Sequence, residues 1–252
     1  QRHGNAKDQL DGGLDHIGDQ HPAERLAGPH DLDVLDKGLA AVGRFAAADG
    51  GISLQLAVGI VVPRGEELSM EHMLYGLMLR SGNDAAVAIA EHIAGSVNAF
   101  ALMMDRRAVQ LGADAIFANP HGLPATNHEA SALAMTRIAR AAMRIPAFRE
   151  IVSTQRATIP WVGNEYSRVL NNKNKLLTTY EGATGIKTGY TKKAGRCLVF
   201  SANRGGMGII GVVLNCPDWF NEAARLMDIA FDRYEAVTML HAGEAVGSLP
   251  VA

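Results

Sequence analysis

Two short groups of residues in this chain have side chains suited to acyl chemistry. Ser81-Gly82-Asn83 stands between two stretches of helical periodicity. A turn there can direct a hydroxyl and an amide into a cleft while the flanking helices hold it still. Lys187-Thr188-Gly189 lies within "GATGIKTGYTKKAG", Gly182 to Gly195, and follows Ile186 in a strand-like stretch. On a strand, Lys187 and Gly189 face one side and Thr188 the other. An ammonium beside a hydroxyl receives a carboxylate, and glycine admits a second chain close to the backbone. A peptide C-terminus can therefore add to such a strand at its edge. Each group also has a plainer reading: Ser81 or Asn83 as a helix cap, Lys187 as a solvated lysine guarding a sheet edge. Three-residue patterns recur by chance, so neither group alone decides between its readings.

The elements that must position these groups are legible from about Gly65 onward. Ser69 caps a helix in which Met70, Met73, Leu74, Leu77 and Met78 form one apolar stripe. A second helix is predicted from Asp84 to Ala94, stopped by Gly95. A third is capped by Ser96, with Phe100, Met103 and Met104 inward and Gly112 closing it. "FANPHGLPATNH" reads as loop, and its His121 as a turn residue. Ser131 caps another helix that Pro146 ends. "TQRATIPWV" reads as a strand, and "RCLVFSANRGGMGIIGVVLNC" as a hairpin turning at Asn203–Gly206. Asp218 opens a last helix with Phe220, Ala223, Met227, Phe231 and Tyr234 on one face. Helices, then antiparallel strands, then a helix predict an α+β fold, an antiparallel sheet flanked by helices.

The 252 residues carry 48% apolar and 20% charged side chains, which suits a globular domain with a sizeable core. A net charge of −2 argues against binding nucleic acid or anionic membranes through bulk charge. No apolar run reaches the length of a membrane span and no signal peptide is visible, although the chain begins at Gln1. Cys197 and Cys216 have no metal-ligand spacing and read as unpaired thiols. Asp31, Asp33 and Asp36 with His16, His21 and His30 have irregular spacing that fits no calcium loop, so no metal or cofactor is expected.

Taken together, the motifs resemble those of the serine-type D-alanyl-D-alanine carboxypeptidases, the low-molecular-mass penicillin-binding proteins of peptidase family S11. "GEELSMEHMLYGLMLRSGNDAAVAIAEHI" resembles the family's helix, S-x-N, helix block. "FANPHGL", "FREIVSTQRATIP", "NNKNKLL" and "GATGIKTGYTKKAGRCLVFSANR" follow in family order. The resemblance runs from about Gly65 to Tyr234. It implies a β-lactamase/DD-peptidase-like α/β sandwich with a helical subdomain at 65–235, and 236–252 as the start of a truncated C-terminal β-rich domain. It implies removal of the terminal D-alanine from peptidoglycan stem peptides through an acyl-enzyme, binding of β-lactams, and a place outside the cytoplasm, with any membrane association through parts outside this chain. Carried over by motif, Ser81 relays a proton to the leaving amine and Asn83 holds the substrate amide. Lys187, Thr188 and Gly189 bind the terminal carboxylate and align the peptide, and the Tyr190 amide helps form the oxyanion hole.

One family element is absent. Such enzymes attack with the serine of an S-x-x-K motif, whose lysine takes the proton. None of the nine serines here has a lysine three positions on. Ser153 is followed by Arg156, whose permanently charged guanidinium cannot act as base. The family also usually has an acidic residue near Ala134. Residues 1–64 are therefore expected not to be the family's N-terminal part but the product of a shifted reading frame or a fusion, and this chain is expected to turn over little substrate. The alternative is a non-catalytic binder of peptidoglycan peptides or β-lactams. A class A β-lactamase fits less well, because Glu165 stands at the wrong spacing from Leu170-Asn171 for its deacylating motif. The frame assignment fails if neither neighbouring frame of the gene encodes S-x-x-K upstream of codon 65.

Overall fold

A computed structural model describes residues 66–161 and 163–239, together with the backbone of residues 45–46. Chain contacts divide the molecule into residues 1–41 and 42–252, and every element below belongs to the second unit. Strand β1 (Phe45–Ala46) pairs antiparallel with β2 (Glu67–Leu68). Phe45–Ala46 falls inside "DLDVLDKGLAAVGRFAAA", which has some helical periodicity in the sequence; at these two residues strand pairing forms instead. "ISLQLAVGIVV", whose composition could make a strand, and most of the β-rich segment implied at 236–252 lie outside the described residues.

Helix α1 (Met70–Arg80) is capped as its sequence predicts: the Ser69 hydroxyl accepts from the His72 amide at 3.2 Å. Helices α2 (Asn83–Ala94) and α3 (Val97–Gln110) follow. The Ser96 hydroxyl caps α3 by accepting from the Ala99 amide, and Gly95 takes the left-handed conformation between the two. Met103 is 44% exposed rather than inward, because the small residues Ala101 and Ala108 form the buried side of α3. Short strands β3 (Ala115–Ile116) and β4 (Glu129–Ala130) pair around the intervening loop. Ser131 caps α4 (Ala132–Ala142). Pro146 does not merely end that helix. It is the first residue of α5 (Pro146–Ser153), where its missing N–H costs nothing.

Strands β5 (Arg156–Ile159) and β6 (Arg168–Asn171) form a hairpin packed on α1. Leu68, Met73, Leu79, Ile89, Ile151, Ile159 and Leu170 join in one buried cluster there. Arg168 in β6 is buried and makes a two-pronged ion pair with buried Glu66, its nitrogens 2.9 and 2.6 Å from the carboxylate oxygens. Its guanidinium also stacks 5.0 Å from the Trp161 ring centroid. A pair this well matched locks the hairpin to the entry of α1.

After the one-turn helix α6 (Leu176–Thr179) comes the central sheet. Strands β7 (Ala183–Thr191), β8 (Gly195–Arg204) and β9 (Met207–Val213) are antiparallel in that order. Alternation along β8 divides its faces. Leu198, Phe200 and Ala202 pack with Ala223 and Met227 of α7 (Trp219–Arg233). Val199 packs on the opposite face with Ala139 of α4, Val152 of α5 and Ile186 of β7. Gly211 lets Phe200 lie flat across β9, since a Cβ there would stand 2.2 Å from the ring. Phe220 and Phe231 join the α7 face as predicted, whereas Tyr234 lies beyond the helix end and is 70% exposed. The result is an α+β sandwich with a helical layer of α1–α3, as the sequence implies.

Candidate active site

The end of α1 is built to turn sharply. Ser81 adopts φ 61° and ψ 49°, the left-handed region, and donates its backbone N–H to Leu77 O at 3.0 Å. This conformation costs a non-glycine residue of order 1 kcal/mol or more and recurs at functional positions. Gly82 follows where a side chain would be crowded: a Cβ would meet Asp84 Oδ1 at 3.1 Å and Gly76 O at 3.3 Å. Gly82 is also the N-cap of α2 and offers no side chain, so neither Ser81 nor Asn83 caps that helix. Asn83 is its first residue, buried to 7% exposure. Its side-chain amide makes no hydrogen bond among the described residues.

From the opposite side comes β7. Register pairs Lys187 with Val199, Thr188 with Leu198, Gly189 with Cys197 and Tyr190 with Arg196. Lys187 therefore projects on the face that carries α4 and α5. There its Nζ lies 2.5 Å from Ser81 Oγ and 2.9 Å from the carbonyl oxygen of Thr188. The solvated edge lysine that the sequence also allowed is not what forms. Thr188 is 7% exposed on the alternate side of the strand. Gly189 and Tyr190 are exposed at the outer edge of β7, which no described strand covers.

A third group enters from the loop after β6. Lys173 donates its amide to Leu79 O at 3.2 Å, and Asn172 fixes the loop by donating its side chain to Thr154 O at 3.0 Å. Burial lowers the Lys173 pKa, and the neighbouring Arg80 guanidinium lowers it further. Lys187 is affected more strongly: burial, then the charge of Lys173, lower its pKa from 10.5 to about 8. Sequence reasoning assigned no role to Lys173. "NNKNKLL" carried its position but not the contact with α1, which arises from tertiary packing alone.

The other sequence candidates fall elsewhere. The ring Nδ1 of His121 accepts from Leu123 N at 3.2 Å within its own loop, a turn role. Burial, then the neighbouring His128, lower its pKa. Ala134, where the family usually has an acidic residue nearby, is buried with Ala108 and Ala113 in an apolar cluster. Cys197 and Cys216 are free thiols.

The peptidase S11 family model, D-alanyl-D-alanine carboxypeptidase, matches residues 36–218. The chain belongs to this family. The match begins upstream of Gly65, where the motif resemblance starts, and so takes in part of the segment that the motifs leave unassigned. D-alanyl-D-alanine carboxypeptidase DacF of Bacillus subtilis is 32% identical over 230 residues, covering 87% of this chain and 57% of its own length. The D-alanyl-D-alanine carboxypeptidase of Streptomyces sp. strain K15 is 35% identical over 181 residues, covering 66% of this chain and 62% of its own. The chain thus spans about three-fifths of these curated relatives. Among solved structures, a point mutant of the Streptomyces K15 DD-transpeptidase superposes with a TM-score of 0.71 at 28% identity, covering 78% of this chain and 84% of that one. DacD from Francisella tularensis superposes with a TM-score of 0.71 at 25% identity, covering 84% and 64%. The penicillin-binding-protein fold read from the motifs is the fold found.

The lysine geometry makes stability depend on pH. Below about pH 8 both folded and unfolded chains hold the Lys187 proton, and only the folded one bears the cost of burying it. Between about 8 and 10.5 the folded chain releases that proton first, so stability rises with pH across this window. Urea unfolding from pH 7 to 10.5 is expected to show a rise of roughly 2 kcal/mol from Lys187 in the native chain, discounted for the water the ammonium still meets, and a clearly smaller rise in Lys187→Met, where Lys173 remains. Equal slopes in the two proteins would contradict the buried lysine.

Proposed function

We propose that this chain recognises peptides ending in D-Ala-D-Ala, as the substrate-holding part of a serine-type D-alanyl-D-alanine carboxypeptidase of the cell wall, outside the cytoplasm. The observation that carries this is the 2.5 Å approach of Lys187 Nζ to Ser81 Oγ, which brings together two motifs 106 residues apart. Two neighbouring lysines, Lys187 and Lys173, give this place a positive field suited to a terminal carboxylate. The exposed edge of β7 offers backbone groups on which an extended peptide can be laid, with Gly189 giving it room. In this reading the Asn83 amide holds the substrate amide and the Tyr190 N–H helps bind the carbonyl oxygen.

β-Lactams fit the same reading, since they carry a carboxylate beside a reactive amide. Turnover by the family's route requires S-x-x-K, which this sequence lacks. The literal chain is therefore expected to bind substrate and to hydrolyse it little.

Calorimetry with a tripeptide ending in D-Ala-D-Ala, as free acid and as C-terminal amide, tests the carboxylate reading. The free acid is expected to bind at least tenfold more tightly, the scale of one hydrogen bond to a charged group. Lys187→Met is expected to erase the difference. Equal affinity for acid and amide in the native chain overturns the proposal.

A further inference from the structure

The end of the central sheet where β7 begins carries a cavity of about 520 Å³, at the place where α4 and α5 meet the strands. Arg140 and Arg144 reach it from the end of α4, and Arg149 and Glu150 from α5. Thr184 of β7 and Ser201 of β8 also line it. Ser81, Asn83, Lys173 and Lys187 take no part in it.

Its charge is out of balance. Three guanidiniums line the cavity with one carboxylate, that of Glu150. Among the described residues the Arg140 and Arg144 guanidiniums make no hydrogen bond or ion pair, and Arg149 spends one nitrogen on the Met143 carbonyl oxygen at 2.9 Å. One exposed arginine is an ordinary solvated charge. Three that converge from two helices on one concave wall repel one another and focus a positive field into it.

The sheet adds a polar group that solvation of a surface does not call for. Ser201 is 2% exposed, and its hydroxyl lies 2.8 Å from that of Thr184. That contact uses one hydroxyl proton and leaves the other to donate to an acceptor in the cavity. Thr184 stands at a break in the β7–β8 register between Ala183 and Gly185, a bulge of the kind that re-aims a side chain. Ile209 and Ile210 of β9 supply apolar wall beside these polar groups. The volume falls within the roughly 300–1,000 Å³ of small-molecule sites and is far larger than a bare ion needs.

We propose that this cavity binds an organic phosphate monoester, its phosphate held by Arg140, Arg144 and Arg149 and its organic body laid against Ile209 and Ile210. Three cations against one carboxylate leave two positive charges in excess, and a phosphate monoester carries about −2 near neutrality. A single carboxylate would leave half of that excess uncompensated. Guanidinium forks match pairs of phosphate oxygens, and the free proton of the Thr184–Ser201 pair adds a donor. This site goes beyond the peptide-binding reading and does not rest on it.

The test is calorimetry of the full chain at about pH 7.5 and low salt, with phenyl phosphate, benzoate and inorganic phosphate as probes, together with amide NMR shifts. Phenyl phosphate is expected to saturate one site per chain, at least about tenfold more tightly than either other probe. The shifts are expected at Gly208, Ile209 and Ile210 and not at Ser81 or Gly189. Arg140→Gln with Arg144→Gln is expected to weaken binding at least about tenfold, and Lys187→Met to leave it unchanged. Both arginines are exposed, and an unchanged urea midpoint will show that the double variant is folded. Benzoate as tight as phenyl phosphate overturns the phosphate assignment, and inorganic phosphate as tight overturns the organic body. The site itself is overturned by the lack of saturable binding, by affinity that survives loss of both arginines, or by affinity lost in Lys187→Met. None of these results touches the comparison of D-Ala-D-Ala acid and amide, so the two proposals fail separately.

Discussion

The hydrogen bond between Lys187 and Ser81 is the contact on which the site depends. It spans two parts of the molecule that share no strand and no helix: the turn that ends α1 and the edge strand of the central sheet. A lysine buried in this way loses hydration that a single neutral hydroxyl only partly replaces, and the nearby Lys173 adds repulsion. Such an arrangement persists only where the surrounding structure holds both groups. Here the Ser81 backbone is pinned by Leu77, and the Lys187 ammonium by the Thr188 carbonyl. The loop of Lys173 is tied to Leu79. Stability has been given up at this point, a pattern that recurs at functional sites.

The scaffold explains how the two sides are kept in register. α5 contacts both α1 and β7, through Ile151 in the cluster under α1 and Val152 against Ile186. It is thus the wedge that sets the distance between the helical layer and the sheet. The Glu66–Arg168 pair and the β5–β6 hairpin brace the other flank of α1. The meeting of Ser81 and Lys187 follows from helix and sheet packing, and the loop after β6 adds Lys173.

Much of this was legible in the sequence because it rests on local rules. Ser69, Ser96 and Ser131 cap the helices they precede, and the paired glycines 205 and 206 turn the β8–β9 hairpin where expected. What escaped depends on distant partners. Pro146 reads as a terminator yet starts α5, since proline is equally at home in a helix's first turn. Met103 fits an apolar stripe, but α3 buries its alanines instead. Lys173 and Lys187 look alike as letters, and only packing reveals that one shifts the titration of the other. The absence of S-x-x-K was readable without coordinates. That the remaining serine and lysine meet was not, because 106 residues separate them.

A double-mutant cycle on Ser81→Ala and Lys187→Met, by urea unfolding at pH 7, tests this contact most directly. A charge-assisted bond predicts a coupling of about 1–3 kcal/mol between the two positions. Effects that simply add, within about 0.5 kcal/mol, would contradict it.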